Sequence, residues 1–489
     1  MKVETKKHAV VIAGGGPTGL MLAAELKLAG VDVVIVERRA DQHLDESRAK
    51  GIHARAVEVL DQRGVAERFI SAGQSYPNIG FAGARLDISD FPTRHNYLLG
   101  ISQSKFEPIL ADWAEELGVP IMRSSEVTNF TQDDHGVTIK VSDGQSLRAD
   151  YLVGCDGGQS LVRKVAGIDF PGLDASVSYI IAEVKMSETP AFGMRPEGGG
   201  IGPSADGKSI GVTIREKVVK HGDRPSMEEL REALVSTYET DYGLTAVNWV
   251  SRFSDATRQA ATYRKGRILL AGDAAHIHPP QGGQGLGTGL QDAVNLGWKL
   301  AQVVNKTSPG KLLDSYHAER HPVGARVLQN TRAQIVLSKP DGQHVATHEI
   351  MTELLDMDEP RKHVVGMLSA LDIHYDLGEG YPLLGRRMPD LDLVVADGPT
   401  RLFSLLHDAK AVLLNLGGAD EFDVSAWSGR VKLINATYKG TWELPVLGEI
   451  TAASAALIRP DGYVAWTGNI ADPELPQALT TWFGGVEKA

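Results

Sequence analysis

Hydrophobic and polar positions follow several different periods along the chain, and each change of period marks an element. Residues 8–14, HAVVIAG, form an unbroken apolar run, the pattern of a strand buried on both faces. PTGLMLAAELKLAG follows with helical spacing and a terminal glycine, and VDVVIVE is a second buried strand ending on an acid. Together they predict a βαβ unit. SKFEPILADWAEELG has the spacing of an amphipathic helix, and GVTIKVSDGQSLRADYLVGCDG reads as a hairpin with an Asp-Gly turn leading into an apolar strand. From about residue 174 to 264 apolar and polar positions alternate in several places, as in KSIGVTIREKV, which predicts an inserted antiparallel sheet. GRILLAGDAAH restores a buried strand, and helical spacing dominates to about residue 371. Beyond residue 388, AKAVLLNLG, VKLINATY and SAALIRPDGYVAW are strand-like and PELPQALTTWFG is helical, predicting a small α/β domain at 389–489.

Composition narrows the classes. A chain of 489 residues with 42% hydrophobic and 23% charged residues can form two or three globular domains without disulfide or metal support. Its single cysteine, Cys155, forms no intrachain disulfide, which fits a reducing cytoplasm. A net charge of -12 argues against nucleic acid or an anionic membrane as partner. Residues 9–24 are apolar and follow Lys2, Lys6 and Lys7, as in a signal peptide, but three glycines and Pro17 interrupt them. They are also too short to span a bilayer, so a soluble protein is expected.

The first chemical motif is VVIAGGGPTGL, which places Gly14, Gly16 and Gly19 in G-x-G-x-x-G spacing between a strand and a helix, with Glu37 ending the next strand. That context defines a dinucleotide fingerprint. Gly14 permits the tight turn, Gly16 lets the backbone approach a pyrophosphate, and Gly19 lets the helix pack on the sheet. Pro17 and Thr18 open the helix whose N-terminus faces the phosphates, and Arg38 follows the acid. Glu37 is expected to accept both ribose hydroxyls and to repel a 2′-phosphate, so the nucleotide is FAD or NAD. The alternative is an ordinary tight βα turn.

Two later segments distinguish FAD from NAD: YLVGCDGGQSLVRKVAG, with Asp156-Gly157, and AGDAAHIHPPQGGQGLGTGLQDAVNLGWKL, with Gly272-Asp273. The three motifs, in this order and over nearly the whole chain, resemble the class A flavoprotein aromatic monooxygenases of the para-hydroxybenzoate hydroxylase type. The resemblance is strongest to hydroxylases of angucycline and anthracycline polyketides. It implies an α/β protein: a Rossmann-like FAD-binding domain (1–175 and 266–388, the latter with a helical segment), an inserted antiparallel-sheet substrate domain (176–265) and a thioredoxin-like C-terminal domain without cysteines (389–489). Residues 75–103 are a candidate addition to the substrate domain.

Carried over by position, Asp273 resembles the acid that holds the ribityl hydroxyl, Arg48 the arginine facing the pyrophosphate, and Gln103 the glutamine beside the ribityl chain. Val127 falls where the backbone meets adenine, and Asp156 with Gly157 matches the motif associated with both FAD and NADPH handling. Gln159 stands where relatives often carry arginine, and Gly287 where they usually carry asparagine. The residues support a flavin independently of the resemblance. Reduced flavin carries negative charge that backbone donors stabilise, and Gly283, Gly285, Leu286 and Gly287 offer such donors at a helix start. A glycine-rich cap without ligand is the alternative.

The implied reaction is hydroxylation of a polycyclic aromatic substrate through a C4a-hydroperoxyflavin, with molecular oxygen and NADPH, NADH not being excluded. NADPH is expected to bind transiently in a cleft, because no second strand–glycine–helix unit is present. Alternatives are a hydroxylase that inactivates rifampicin or tetracycline, and a non-hydroxylating flavoprotein of a polyketide pathway. No catalytic base is assigned. His276 and His278 read by default as structural loop histidines, Pro279 and Pro280 as a wall near the flavin ring or a rigid turn. His53 and Arg55 either reach the substrate side or lie on a helix surface. The substrate pocket is expected between the inserted sheet and the flavin, with GMRPEGGGIGPSADGKS as a covering loop or a plain hairpin tip. A monomer or homodimer is expected.

Overall fold

A computed structural model describes residues 6–44, 49–195, 199–204, 209–220, 224–338, 342–418 and 422–485. The first strand, Lys6–Ala13, lies at the centre of a mainly parallel sheet. The order across the main path is Arg264–Lys265, Ile268–Leu270, Ser146–Gly154, Lys6–Ala13, Val33–Val36, Ile121–Met122. Helices cover the sheet, so Val10, Val11, Ile12, Val33, Ile35, Leu152, Val153 and Leu269 are all sealed from solvent. The hairpin around Asp143-Gly144 pairs Gly136–Val141 with the start of Ser146–Gly154, and Gly144 takes φ +83° at its turn.

Register decides where the chemistry gathers. Ala13 lies beside Val36 and Gly154, and Gly154 lies beside Leu270. Four strand ends are therefore level, and the loops that start at Gly14, Glu37, Cys155 and Ala271 leave the same carboxyl edge. Ligands of open α/β sheets bind at that edge.

The inserted sheet is antiparallel, in the order Gly193–Arg195, Gly199–Pro203, Ile210–Arg215, Ser178–Met186, Leu244–Ser254. Its pleat is read directly from the alternation. Ile180, Ala182, Val184, Val212 and Ile214 pack on Leu230, Leu234 and Tyr238 of helix Met227–Tyr238. Tyr179, Ile181 and Glu183 point the other way and are half-buried. Strands between residues 74 and 100 form two separate two-stranded sheets and do not pair with the inserted one.

After helices Asp314–Leu337, Gly342–Leu355 and Asp358–Ser369, a four-stranded sheet forms in the order Val431–Asn435, Ala411–Asn415, Ala455–Ile458, Val464–Gly468. The first pair is parallel and the others antiparallel, and helix Leu475–Phe483 follows. Its core takes in Trp298 of helix Gly285–Val304 and Leu312 of the turn Gly310–Leu313. Charged contacts complete the junction. Arg63 meets Glu25 of helix Pro17–Leu28 through Nε at 2.6 Å and Nη2 at 2.9 Å, with both side chains fully buried. The same guanidinium donates to the carbonyls of Leu406 and Pro460.

Breaking a buried pair from one side leaves an uncompensated charge. Arg63→Ala is expected to cost ~3–5 kcal/mol of stability. Urea unfolding of the two proteins checks this, and an unchanged midpoint contradicts it.

Candidate functional site

The fingerprint loop is built by close approach. Gly14 takes φ +101°, and a Cβ there would stand 2.4 Å from the Cys155 carbonyl oxygen of the neighbouring strand end. A Cβ on Gly19 would lie 2.0 Å from the Gly14 carbonyl oxygen. Gly16 differs: a Cβ there meets nothing within 4 Å. Gly14 and Gly19 are thus glycine because the protein is in the way, and Gly16 faces open space. Gly16 is also the N-cap of helix Pro17–Leu28, and no side chain caps that helix end. Its first amides remain available to an anion.

Glu37 is buried beside this loop. Its Oε2 accepts the Gly15 N–H at 2.5 Å, and its Oε1 accepts the Arg39 N–H at 2.8 Å and Nε at 3.0 Å. Burial pushes this carboxyl up, but the Arg39 and Gly15 donors outweigh it and hold the group below its ordinary value. Oε2 keeps a second lone pair for a ribose hydroxyl. Arg38 is exposed, and the arginine that enters the site is Arg39, which also pairs with the buried Glu107 at 2.5 Å. Gln42 donates to the Gly15 carbonyl at 2.8 Å and to Glu107. Arg39, Gln42 and Glu107 were not singled out from the sequence. The signal for them is a basic residue two places after the strand-end acid.

Gln103 begins helix Gln103–Glu116, and its side chain donates to Glu107 at 3.2 Å. Val127 is buried at the start of strand Val127–Asp133. Arg48 lies outside the described residues. So do residues 196–198 and 205–208 of the glycine-rich covering loop.

In the second motif, the Asp156 Oδ2 accepts the Val162 N–H at 3.0 Å. Its Oδ1 is buried with no hydrogen-bond partner among the described residues. An orphaned buried acceptor at the carboxyl edge suits a ligand that brings a donor. Gly157 takes φ +76° in the turn that follows. Gln159 is exposed and accepts from Lys164. The buried Arg163 donates to the carbonyls of Gly158 at 2.9 Å and Ala274 at 2.8 Å, which ties the second motif to the third.

Thr18 joins the third motif to the first. Cβ atoms on Gly272 and Gly289 would stand 2.6 Å and 2.4 Å from its Oγ1. Asp273 is exposed in the single turn Gly272–Ala274. Helix Gly285–Val304 has no side-chain cap, because Gln284 turns away to the carbonyls of Met367 and Leu368. The Thr288 N–H is the first to find the helix's own carbonyl, that of Gln284. The amides of Gly285, Leu286 and Gly287 are left as donors at the positive end of a 20-residue helix. Gly283 lies in the turn before them, bonded to the Pro280 carbonyl. Pro280 is exposed and Pro279 buried.

The histidines are each held by a group of the protein. His276 is sealed from solvent, with its Nε2 2.8 Å from the Asp292 Oδ2. His278 holds the Pro279 carbonyl at 2.8 Å, and burial pushes its imidazole down. His53 and Arg55 do not lie on a helix surface: both are buried. His53 Nε2 holds the Gly282 carbonyl at 2.7 Å, and Arg55 pairs with Glu58 and donates to the carbonyls of Ala370 and Leu371. Asp292 and Arg320, also missed in the sequence, stand behind the third motif. Asp292 accepts from Gly272 N–H at 3.1 Å, and Arg320 Nε reaches its other oxygen at 2.7 Å.

A cavity of about 130 Å³ lies beside Gly287. Its walls come from His53, Gln291, Val327, Leu368 and Ile373 among others, with no residue of the inserted sheet. It is therefore not the expected substrate space between sheet and flavin.

A Cβ on Gly287 would meet only Ala56 Cβ, at an ordinary 3.4 Å. Gly287→Asn is expected to keep FAD affinity within about threefold, since the group expected to face FAD is a backbone amide and not a side chain. Gly19→Ala drives its methyl into a carbonyl and is expected to abolish FAD binding. Fluorescence titration of FAD into the two apoproteins checks both, and a Gly287→Asn protein that cannot hold FAD overturns the first.

The FAD binding domain family matches residues 7–331, and the aromatic-ring hydroxylase C-terminal family matches residues 381–485. The chain is 44% identical to 12-dehydrotetracycline 5-monooxygenase/anhydrotetracycline 6-monooxygenase of Streptomyces rimosus, over 98% of this chain and 99% of that protein. It is 41% identical to rifampicin monooxygenase of Streptomyces venezuelae, again over 98% and 99%. The crystal structure of an aromatic hydroxylase from angucycline biosynthesis superposes with a TM-score of 0.89 at 39% identity, covering 98% of this chain and all of that one. An uncapped fingerprint helix, an orphaned Asp156 oxygen and a glycine helix with free amides fit FAD. The chain belongs to the FAD-dependent aromatic-ring hydroxylases and is a flavin monooxygenase.

Proposed function

We propose that this monooxygenase hydroxylates a polycyclic aromatic polyketide, with NAD(P)H as reductant and molecular oxygen as the source of the inserted atom. The observation that carries the reading is a likeness, along the full chain, to enzymes named for tetracyclines, rifampicin and angucyclines. Bound FAD supplies the hydride-accepting and oxygen-activating chemistry. The residues supply position. Glu37 takes the ribose, the helix start at Gly16–Thr18 the pyrophosphate, Asp273 the ribityl chain, and the amides of Gly285, Leu286 and Gly287 the negative edge of the reduced ring. The half-buried face of the inserted sheet supports an aromatic ligand. Tyr179 and Phe253 stack there with ring centroids 5.1 Å apart, and Trp249 donates to Glu183 at 3.3 Å.

NADPH is read as a transient visitor, because the one fingerprint loop is taken by FAD. The C-terminal domain is read as thioredoxin-like on its strand order and its parallel–antiparallel pattern. With Cys155 the only cysteine in the chain, that domain performs no thiol–disulfide exchange. A cytoplasmic monomer or homodimer completes the reading. No helix among the described residues is long and apolar enough to cross a membrane.

The test is to supply FAD-loaded protein with NADPH, oxygen and a panel of anthracyclinones, angucyclinones, anhydrotetracycline and rifamycins. At least one is expected to accelerate NADPH oxidation about tenfold or more and to gain one oxygen atom by mass spectrometry. Ligands that bind without any oxygen incorporation would falsify the reading.

A further inference from the structure

The C-terminal domain places two charged residues deep in the junction with the flavin domain. Arg459 is fully buried, and its Nη1 and Nη2 each stand 2.7 Å from an oxygen of Glu319. Its Nε and Nη2 also hold Asp461, at 3.0 Å and 2.5 Å. Trp482, Trp298, Tyr375 and Tyr463 surround the guanidinium, at 4.7–5.8 Å from their ring centroids. The flavin domain completes the cluster. Asn295 donates to Glu319 at 2.6 Å and to Asp461 at 3.2 Å, and Lys299 donates to Glu319 at 2.9 Å.

This cluster does not end at the junction. Glu319 is followed on its helix by Arg320, which is equally buried and turns the other way. Arg320 donates to Asp292 at 2.7 Å and to the Thr288 carbonyl at 3.3 Å, beside Gly287. Asp292 in turn fixes the Gly272 N–H, the residue before Asp273. The Tyr375 hydroxyl bridges the two halves, 3.2 Å from Arg320 and 3.5 Å from Asn295. Three carboxylates (Asp292, Glu319, Asp461) face three cations (Lys299, Arg320, Arg459), with His276 against Asp292. Removing any one member unbalances the rest, because low-dielectric surroundings screen little.

We propose that Arg459 is a positioning residue for the flavin: through Glu319, Tyr375 and Arg320, the C-terminal domain braces the two loops that hold the ribityl chain and the isoalloxazine ring. The cysteine-free domain then serves as part of the cofactor clamp. The coupling has two components. One is geometric, carried by hydrogen bonds to Gly272 and Thr288. The other is electrostatic, since Arg459 contributes positive charge to the interior behind a ring that becomes anionic on reduction.

Three variants of the full chain test this: Arg459→Met, Arg459→Lys and Tyr375→Phe. Each is measured for FAD affinity, for the flavin midpoint potential, and for the melting temperature of the apoprotein. Tyr375→Phe removes only the bridging hydroxyl and leaves no bare charge. It is expected to weaken FAD about threefold or more with the apoprotein melting point nearly unchanged. Arg459→Met is expected to weaken FAD about tenfold or more and to move the midpoint potential negative, and Arg459→Lys to recover much of both. Folded Arg459→Met and Tyr375→Phe proteins with wild-type FAD affinity and potential overturn the proposal, whatever their melting points. FAD binding needs no substrate, so this outcome is independent of which polyketide, if any, is hydroxylated.

Discussion

A carboxylate with no solvent exposure, Asp292, anchors the flavin end of this fold. It receives Arg320 on one oxygen and His276 and the Gly272 amide on the other. Burial pushes its pKa up, but Arg320 and His276 outweigh that and keep the group ionised. Replacing such a pair by hydrocarbon is often neutral for stability, so bulk stability does not account for it. What hydrocarbon cannot do is bond the Gly272 N–H in one orientation. The loop before Asp273 turns through a glycine at φ +61°, packed against Thr18 on the first phosphate loop. A directional acceptor behind that turn fixes the position of the loop, and with it the spacing of the two cofactor motifs.

The cofactor loops were legible in the sequence because backbone contacts leave a mark on composition. A Cβ at Gly14 or Gly19 would run into a carbonyl oxygen, so glycine recurs there whatever the ligand. Alternation in the inserted segment was equally legible, since one face packs on a helix and the other does not. The network behind the loops left no such mark. Asp292, Asn295 and Lys299 recur along GLGTGLQDAVNLGWKLAQVV as the polar positions of a seemingly amphipathic helix, yet residues 287–302 are all buried. Asn295 meets Asp461 166 positions away, and Arg459 enters the same cluster through Glu319, 140 positions away, where nothing local pairs them. His53 and Arg55 were obscure for the same reason. Their burial depends on backbone at Gly282, Ala370 and Leu371, which arrives from elsewhere in the chain. Between Arg38 and Arg39, only the direction of the side chain at the end of the strand separates the exposed arginine from the one bound to Glu37.

The helix Gly285–Val304 does three jobs on different surfaces. Its N-terminus offers amides, one flank carries Asp292, Asn295 and Lys299 into the ionic cluster, and Gly287, Thr288 and Gln291 line the adjacent cavity. A helix exposed on one side could not do this, because its polar positions would be satisfied by water. Burial makes Asp292, Asn295 and Lys299 find protein partners, and those partners come from other parts of the chain. The same burial explains why glycine is tolerated at 287, 289 and 297 despite its low helix propensity. At Gly289 a Cβ would strike Thr18, and at Gly297 it would stand 2.5 Å from the Cβ of Glu25 on helix Pro17–Leu28. Close approach of the two helices that flank the cofactor is gained at the cost of about 1 kcal/mol per glycine in propensity.

The inserted sheet obeys a different logic. Its buried side chains form a cluster drawn wholly from residues 180–250, and none of them belongs to the core under the parallel sheet. A change on its outer face, at Tyr179, Ile181 or Phe253, therefore falls outside both cores. The opposite holds for the glycine helix, where a change at Asp292 reaches Gly272 directly. Separate cores allow the inserted sheet to vary while the frame around the cofactor loops stays fixed. That separation is a physical reason for one architecture to serve relatives named for substrates as different as anhydrotetracycline and rifampicin.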